Sequence, residues 1–555
     1  MAGYAESANG QGAVWRPYAW DHLQVPSARH STLPQRLGWP QAWCTMMRRS
    51  SGSAPVAQSV PGPRLERRLA REAERVGNRI LMLVPHEPEL DPRIQWVAQL
   101  CRRIGRTEII GAVSPLETST ERERPEQEYD GTLLTDRVKS YEYASATAKG
   151  LARLLSFLYM TGFVQRYFWR ERERGDPVRY PKLHALTSRK SSCCSNGLGA
   201  MLRSWIRGSV AGRAWQAIDH TIGSVFRFLS VWSVHNVLSS ALYRRARALS
   251  VIPRLLICHD VLALVAGARI KQMYGCPLLY DAHELWPEAD LLAKGWERRV
   301  MTWVEGRSIR HADVVVTVTP QLARHLEERY GIAGVVCAPN AAPTGKSELG
   351  LVQKPVSLPL KFLYQGQLAL RRGLEELLQA WEGLVTDSAV LYLRCPANDF
   401  LSYLRNQYRH LLDEQRVVVL PAVREAELVM AASFADVGII PYVGPNLNHV
   451  YCCPNKLSQY MQAGLAVLSN RLSFVSEVIS RYQCGLIYDA EKPETVAHAV
   501  RFWINHPDEL QAMKARASLN ARREFNWECQ SQEYQRAVAI LFEKGVERPQ
   551  AAAGK

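Results

Sequence analysis

The sequence has no run of the roughly 20 apolar residues that a membrane-spanning helix needs. The closest stretches are Leu154–Val164 and Phe228–Tyr243, which are short, rich in aromatic residues and flanked by arginines. That pattern is typical of helices that lie in a membrane interface, and it also fits buried core helices with charged ends. The sequence therefore predicts attachment to a membrane surface or burial in the core.

The 12 cysteines include no C-x-x-C pair and no even framework of spacings. Cys193–Cys194 and Cys452–Cys453 are pairs of adjacent residues, which suit neither ordinary disulfides nor zinc. The N-terminus has no signal peptide. These features favour a protein of the reducing cytosol.

Complete nucleotide and metal motifs are also lacking. TGKS (344–347) has Asn340 where a P-loop needs its first glycine, and GLGAML (197–202) ends in leucine and follows no strand. His283–Glu284 does not continue into a zinc-protease motif, because Pro287 follows. The sequence gives no support for a P-loop nucleotidase, an NAD-binding fold or a zinc protease.

Acidic residues are scarce in one segment. Residues 149–247 contain 17 lysines and arginines against four acids, which accounts for 13 of the formal net charge of +16. Such a local excess predicts a polyanionic partner, and both nucleic acid and anionic lipid fit it.

Apolar runs typical of buried parallel strands alternate with helical patterns in two blocks. The first block begins at RILMLVP (79–85) and the second at KFLYQG (361–366). This order predicts an α/β protein with two Rossmann-like, doubly wound domains that face each other across a cleft, with a helical basic insertion in the first. The predicted segments are a disordered extension (1–75), an N-terminal acceptor-side domain (76–342) with its insertion (140–250), a linker (343–360), a C-terminal nucleotide-sugar-binding domain (361–525), and a helix and tail (526–555).

Lys456 follows Pro454, which is predicted to be the first residue of a helix. A cation in the first turn of a helix is mildly unfavourable, by roughly 0.3–1 kcal/mol. An anion bound at this helix end would explain the lysine, and a side chain that simply extends into water is the alternative.

Four motifs carry a resemblance to a known family. They are LLYDAHELWPE (278–288), VCAPNAA (336–342), YQGQLALRRGLEELLQA (364–380) and PNKLSQYMQAGLAVLSN (454–470). Together they resemble bacterial glycosyltransferases of family 4, of the Pro-Asn-Lys type with the GT-B fold, over roughly 79–113 and 250–540. The resemblance implies transfer of a sugar from a nucleotide diphosphate donor, usually with retention of configuration and with no bound metal or other cofactor.

Three residues are predicted to be catalytic. A nucleoside diphosphate leaves with about two or three negative charges, so a metal-free site must supply positive charge itself. Arg372, with Arg371 as a competitor, follows the first strand of the second block, and Lys456 starts a helix of the same block. Both should lie at the ligand-facing edge of the sheet. The resemblance places His283 near the sugar, although a structural histidine at a strand end is the alternative.

Gln459 stands where the family usually has a glutamate that accepts hydrogen bonds from the ribose, and Tyr451 replaces an earlier glutamate of the family motif. The sequence therefore predicts that Gln459→Glu strengthens donor binding. The predicted substrate-binding residues are Gln459, Asn455, Pro421 and Val423 on the donor side, and Asp260 and Glu284 on the acceptor side.

Several functions fit these observations. The leading one is a membrane-associated glycosyltransferase that acts on a lipid-linked or polysaccharide acceptor in surface glycan synthesis, at the inner face of the plasma membrane. A sugar-nucleotide epimerase would share the architecture, and Gln459 also fits a catalytically inactive scaffold. A nucleic-acid binder is disfavoured, because it leaves the motifs of the second block unexplained.

Overall fold

The computed structural model describes residues 78–113, 128–139, 236–344 and 355–547. Short gaps within these ranges fall at 87, 89–90, 130–131, 237, 250–251, 290–294, 369–371, 385–386 and 444–446. The predicted extension (1–75), the stretch Leu154–Val164, most of the basic insertion, Arg371 and the last eight residues lie outside the described residues.

The first sheet contains eight described strands. They are β1 (Arg79–Val84), β2 (Arg106–Val113), β3 (Glu128–Tyr129), β4 (Thr132–Lys139), β5 (Leu255–His259), β6 (Leu278–Ala282), β7 (Val314–Thr317) and β8 (Val336–Cys337). Their order is β3-β4-β2-β1-β5-β6-β7-β8, and all neighbours are parallel except β3 and β4. Besides a helix at 238–248, this half contains the described helices α1 (Pro92–Arg102), α2 (Asp260–Tyr274), α3 (Trp286–Ala289), α4 (Gly295–Ile309) and α5 (Pro320–Tyr330).

The second sheet contains six described strands, all parallel to their neighbours. They are β9 (Leu360–Gln365), β10 (Ala389–Cys395), β11 (Val417–Pro421), β12 (Val437–Ile440), β13 (Ala466–Asn470) and β14 (Gly485–Tyr488). The order is β11-β10-β9-β12-β13-β14, so the winding direction reverses between β9 and β12. Ligands of doubly wound sheets bind at the carboxyl ends of the strands, at such a reversal.

The helices that follow β9 begin with α6 (Leu374–Glu382), α7 (Asp399–Gln407) and α8 (Arg409–Asp413). A 3₁₀ turn (Glu425–Glu427) then leads into α9 (Leu428–Ala432), α10 (Leu447–Val450), α11 (Asn455–Gln462), α12 (Ser473–Tyr482), α13 (Pro493–Asn505), α14 (Pro507–Arg523), α15 (Trp527–Gln530) and α16 (Gln532–Glu547). The last helix returns to the first sheet, where Val538 and Leu541 share a core with Ile80 and Met82.

The apolar runs of the central strands are buried on both faces. In β1, Ile80 and Met82 pack into one core, while Leu81 and Leu83 pack into another on the opposite side of the sheet. Helices cover both faces of a doubly wound sheet, so alternation of polar and apolar residues is not required. The predicted pair of Rossmann-like domains is confirmed.

The end of the second apolar stretch is part of the core. Residues 238–248 are helical, and Ala241 and Leu242 are fully buried. Ser239 Oγ donates a hydrogen bond to the carbonyl of Leu262 in α2, at 2.8 Å. For 238–243 the membrane-interface interpretation is therefore wrong and the core-helix alternative holds. In the described part of the chain, no helix is both long enough and apolar enough to cross a membrane.

The start of α11 differs by one residue from the prediction. Pro454 is the N-cap, with the extended backbone angles φ −70° and ψ 134°, and Asn455 is the first helical residue. Lys456 still lies in the first turn, because the shift moves the helix start by a single position.

Glu305 gives the fold a specific dependence on pH. Burial raises the pKa of this fully buried carboxyl from 4.5 to about 7, although the hydroxyls of Tyr330 and Tyr280 donate to it. Between these two values the folded state keeps a proton that the unfolded state has lost, so stability falls as the pH rises through this window. Relative to wild type, Glu305→Gln should gain about 1–3 kcal/mol in free energy of unfolding between about pH 5 and pH 8.

Denaturant titrations of both proteins at the two pH values measure this difference. The exposed Glu533, which pairs with Arg536, provides the control. The free energy of unfolding of Glu533→Gln should match that of wild type at both pH values. A constant offset between Glu305→Gln and wild type across the window would show that Glu305 is already ionised at low pH.

Candidate active site

Two predicted cations meet at the carboxyl ends of β9 and β12. Lys456 Nζ donates a hydrogen bond to the hydroxyl of Tyr442 at 2.6 Å and lies 4.6 Å from the centre of its ring. The guanidinium of Arg372 lies 5.6 Å from the same ring centre. The structure thus brings together two of the three predicted catalytic residues, at the reversal of strand order where a ligand is expected.

Two glycines allow this close arrangement. Gly366, directly after β9, has φ +129°, and a Cβ there would lie 3.4 Å from Lys456 Nζ. Gly373 has φ +80°, and a Cβ there would overlap the carbonyl oxygen of Pro441. Side chains are disfavoured at both positions, which keeps the loop that carries Arg372 against the end of β12.

Lys456 has no carboxylate partner among the described residues, although its side chain is only 8 % exposed. The ring of Tyr364 lies 5.0 Å from Nζ and adds a second cation–π contact. A nearly buried cation without a counter-ion is costly, and it lies in the first turn of α11, where backbone N–H groups are unpaired. An anion bound at this point would satisfy both.

Both ring nitrogens of His283 are bound by other protein groups. Nδ1 lies 3.1 Å from Asp91 Oδ2, and Nε2 lies 3.1 Å from His259 Nδ1 and 3.3 Å from Asp281 Oδ2. Burial alone would lower the pKa of His283, but the carboxylates of Asp260, Asp281 and Asp91 outweigh it and raise this pKa well above the usual value. These carboxylates therefore favour the protonated form of His283, which is fixed at the end of β6.

Asp91 is the member of this network that is partly exposed to solvent. Burial opposes ionisation, but the charge and hydrogen bond of His283 lower the pKa of Asp91 to about 2. Its Oδ1 also accepts a hydrogen bond from the backbone N–H of Arg93, which caps α1.

Arg93 and Asp281 form a buried ion pair next to His283. Arg93 donates to both oxygens of Asp281, at 2.8 and 3.1 Å, and to the carbonyl of Ala338 at 2.7 Å. The two side chains are 1 % and 0 % exposed. Four residues of this network were not predicted from the sequence: Asp91, Arg93, His259 and Asp281. One signal was available, because a carboxylate inside the apolar strand LLYDA must have a partner.

Asp260 adopts a strained backbone conformation at the end of β5. Its φ is +58°, a region that aspartate tolerates better than most residues. Its Oδ1 accepts a hydrogen bond from the backbone N–H of His283 at 3.3 Å. Asp260 thus orients the loop after β6, and strain of this kind is concentrated at functional sites.

Glu284 lies where the two halves meet. Glu284 is exposed, but desolvation by nearby protein atoms and the carboxylate of Asp260 raise its pKa, while the charges of His283 and Arg372 partly offset this. The adjacent Leu285 N–H donates to Asn448 of α10 at 2.8 Å, which joins the first half to the second. The cleft between the two sheets is thus lined by Glu284 on one side and Arg372 on the other.

The predicted donor-side residues lie along the carboxyl edge of the second sheet. Gln459, one helical turn after Lys456, is buried and donates through Nε2 to Glu425 at 2.7 Å. Asn455 Oδ1 is buried without a hydrogen-bond partner. Pro421 is exposed at the end of β11, and Val423 is half-buried in the following loop. Glu425 was not predicted as a site residue, because nothing in the local sequence distinguishes it from the surface acids around it.

One group of side chains has the composition of a metal site. His259, Asp281 and His283 place their ligand atoms within 4.8 Å of one another. Both oxygens of Asp281 already accept hydrogen bonds from Arg93, so a metal would have to compete with a buried guanidinium.

The fold and the site define a class, that of two-domain α/β proteins of the GT-B type. Two solved structures are similar over most of the chain. Sucrose-phosphate synthase from Thermosynechococcus elongatus has a TM-score of 0.54 at 14 % identity and covers 84 % of this chain and 100 % of its own. A glycosyltransferase from Rickettsia africae has a TM-score of 0.50 at 9 % identity and covers 85 % of this chain and 99 % of its own. At these identities the likeness shows the fold alone.

Family models identify the chain more closely. Residues 211–341 match the Glycosyl transferase 4-like domain, and residues 359–506 match Glycosyl transferases group 1. No curated protein sequence matches the chain. The protein is a glycosyltransferase, with one matched domain on each side of the cleft.

Proposed function

We propose that the protein transfers a sugar from a nucleoside diphosphate donor to a lipid-linked or polysaccharide acceptor, with retention of configuration. The observation that carries this proposal is the pair of cations at Tyr442. Lys456 and Arg372 lie within 6 Å of one aromatic ring, next to the first turn of α11. A diphosphate is the donor group whose charge such a site neutralises best.

Charge stabilisation in this mechanism comes from the protein and requires no metal. As the glycosidic bond breaks, negative charge builds on the leaving phosphate oxygen, and Lys456 and Arg372 stabilise it. The first half of the chain supplies the opposite wall, where Asp91, held in place by His283, and Glu284 orient hydroxyl groups of the sugar and of the acceptor. The departing phosphate itself takes the proton of the acceptor hydroxyl, so no separate base is assigned.

The assignment to family 4, of the Pro-Asn-Lys type, belongs to this proposal. It is supported by the Pro454-Asn455-Lys456 sequence, which places the lysine in the first turn of α11. A role in surface glycan synthesis, at the inner face of the plasma membrane, is supported by the basic segment 149–247 of the sequence.

Membrane attachment through that segment predicts a dependence on salt. Each basic residue near an anionic surface contributes on the order of 1 kcal/mol, and salt screens this contribution. The full-length protein should therefore sediment with anionic vesicles at low salt, be partly released at high salt and be fully released by detergent. Vesicles of a neutral lipid are the control. A protein that stays in the supernatant with anionic vesicles at low salt does not dock through charge.

The proposed activity is tested with radiolabelled nucleotide sugars and a membrane extract. Label that moves into the lipid fraction or into polysaccharide supports glycosyl transfer. An epimerised free nucleotide sugar would identify an epimerase instead. Failure of every donor with every acceptor fraction would favour a catalytically inactive scaffold.

A further inference from the structure

Glu425 supplies a carboxylate to the part of the site where the sequence lacks one. Gln459 Nε2 donates to Glu425 Oε1 at 2.7 Å, and Gln459 Oε1 accepts from Gln365 Nε2 at 3.3 Å. The amide of Gln459 is thus fixed between two neighbours and presents its N–H₂ group to the carboxylate. The three residues come from β9, from the turn after β11 and from α11.

The position of Glu425 fits a ligand that extends from the cations. Gln459 is one helical turn from Lys456, and the charge of Lys456 reaches Glu425 strongly enough to affect its pKa. The charge of Asp91, on the other side of the cleft, also affects the pKa of Glu425. Glu425 is exposed, so a ligand can reach it, although nearby protein atoms remove part of the hydration of its carboxylate.

Among ligand groups next to a diphosphate, hydroxyl pairs match a carboxylate best, because its two oxygens can accept from both hydroxyls at once. We propose that Glu425 is a donor-binding residue whose carboxylate, oriented by Gln459, accepts hydrogen bonds from a vicinal hydroxyl pair of the nucleotide sugar. Two parts of the donor carry such a pair, the ribose and the transferred sugar. This inference rests on the proposed function.

This arrangement reverses the expectation for position 459. In Gln459→Glu, a second carboxylate replaces the amide that now donates to Glu425, so like charges meet at hydrogen-bond distance and the donor N–H is lost. Glu425→Gln removes the charged acceptor. The double variant, Glu425→Gln with Gln459→Glu, restores one amide and one carboxylate in exchanged positions.

The experiment measures the affinity of ADP, GDP and UDP, of their 2′-deoxy counterparts and of nucleotide sugars by calorimetry at about pH 8. Glu425→Gln should weaken binding roughly tenfold or more, the usual range for loss of a charged hydrogen bond. Gln459→Glu should also weaken it, and the double variant should bind better than the product of the single effects predicts.

The neighbouring Glu427 is the matched control. It lies in the same 3₁₀ turn but pairs with the exposed Arg424, so Glu427→Gln should bind like wild type. Thermal unfolding of each variant checks that the fold is intact, and Glu425→Ala provides a second variant at the same position.

The ligand series identifies the hydroxyl pair. If the Glu425→Gln variant binds a nucleoside diphosphate more weakly than wild type does, and binds the 2′-deoxy form with the same affinity, the hydroxyl pair belongs to the ribose. If the substitution weakens the binding of nucleotide sugars only, the hydroxyl pair belongs to the transferred sugar. Both results support the inference. Equal affinities of Glu425→Gln and wild type for every ligand would overturn it and leave the proposed function intact, whereas a wild type that binds no ligand of the series would overturn both.

The pH dependence is a second readout. Desolvation by nearby protein atoms and the charge of Asp91 raise the pKa of Glu425 to about 7, against the hydrogen bond of Gln459 and the charge of Lys456. The nearby Arg424 and Glu427 bind each other. Below this pKa the carboxyl is neutral and accepts less strongly, so the affinity ratio of wild type to Glu425→Gln should fall as the pH drops. A ratio that does not change with pH would contradict an ionised acceptor.

Discussion

Replacing Lys456 by alanine should lower kcat by about 10²–10³-fold, as removal of an electrostatic stabiliser does in other enzymes. Donor affinity should fall less, because the contact of Nζ with the leaving phosphate strengthens as charge develops in the transition state. Steady-state kinetics with the identified donor and acceptor, together with calorimetric donor binding, separate the two effects.

The stability of the same variant should change little. Lys456 is nearly buried, and among the described residues it donates only to the Tyr442 hydroxyl and forms no close ion pair, so its removal also relieves part of the cost of burying a cation. Lys456→Met fills the same space without charge and should be as inactive as the alanine variant, with a melting temperature close to that of wild type. Tyr442→Phe, which keeps the ring and the cation, should retain most of the turnover.

Near-normal turnover of both Lys456 variants would show that the lysine does not contact the leaving group. A large loss of stability in Lys456→Met would instead assign it a structural role.

Replacing Arg93 by methionine should reduce the free energy of unfolding by about 3–5 kcal/mol, the usual cost of removing one partner of a buried ion pair. Asp281 would keep its negative charge inside the first half of the chain without the guanidinium that donates to both of its oxygens. The carbonyl of Ala338 would also lose its charged donor. Denaturant unfolding monitored by tryptophan fluorescence measures the change, since Arg93 lies 5.5 Å from the ring centre of Trp527.

Arg536→Met is the control for this prediction. Arg536 pairs with Glu533 on the exposed surface of α16, and such pairs contribute roughly 0–1 kcal/mol. Arg93→Lys keeps the positive charge but loses the planar set of N–H donors of the guanidinium. The free energy of unfolding of this variant should therefore lie between those of Arg93→Met and wild type. A loss in Arg93→Met no larger than that in Arg536→Met would mean that Asp281 is neutral or finds another partner.

Much of the fold could be predicted from the sequence, because parallel strands covered on both faces have continuous apolar runs. RILMLV and LLICH form adjacent strands at the centre of the first sheet, as their composition indicates. Helix ends were predicted less well, since Pro454 satisfies the local rules for either the N-cap or the first helical position. The pattern also did not distinguish a membrane-interface helix from a core helix at 238–243, because both present an apolar face with charged ends.

The sequence by itself determined the two-domain α/β class and placed Arg372 after a strand and Lys456 in the first turn of a helix, because strand periodicity and helix signals are local properties of the chain. Only the tertiary structure decided that these two cations share Tyr442, that Asp91 and Asp281 bind His283, and that Glu425 contacts Gln459. Each of these contacts joins residues from different elements. Their strength depends on distance and burial, which arise only when the strands pair and the helices and loops pack against the sheets.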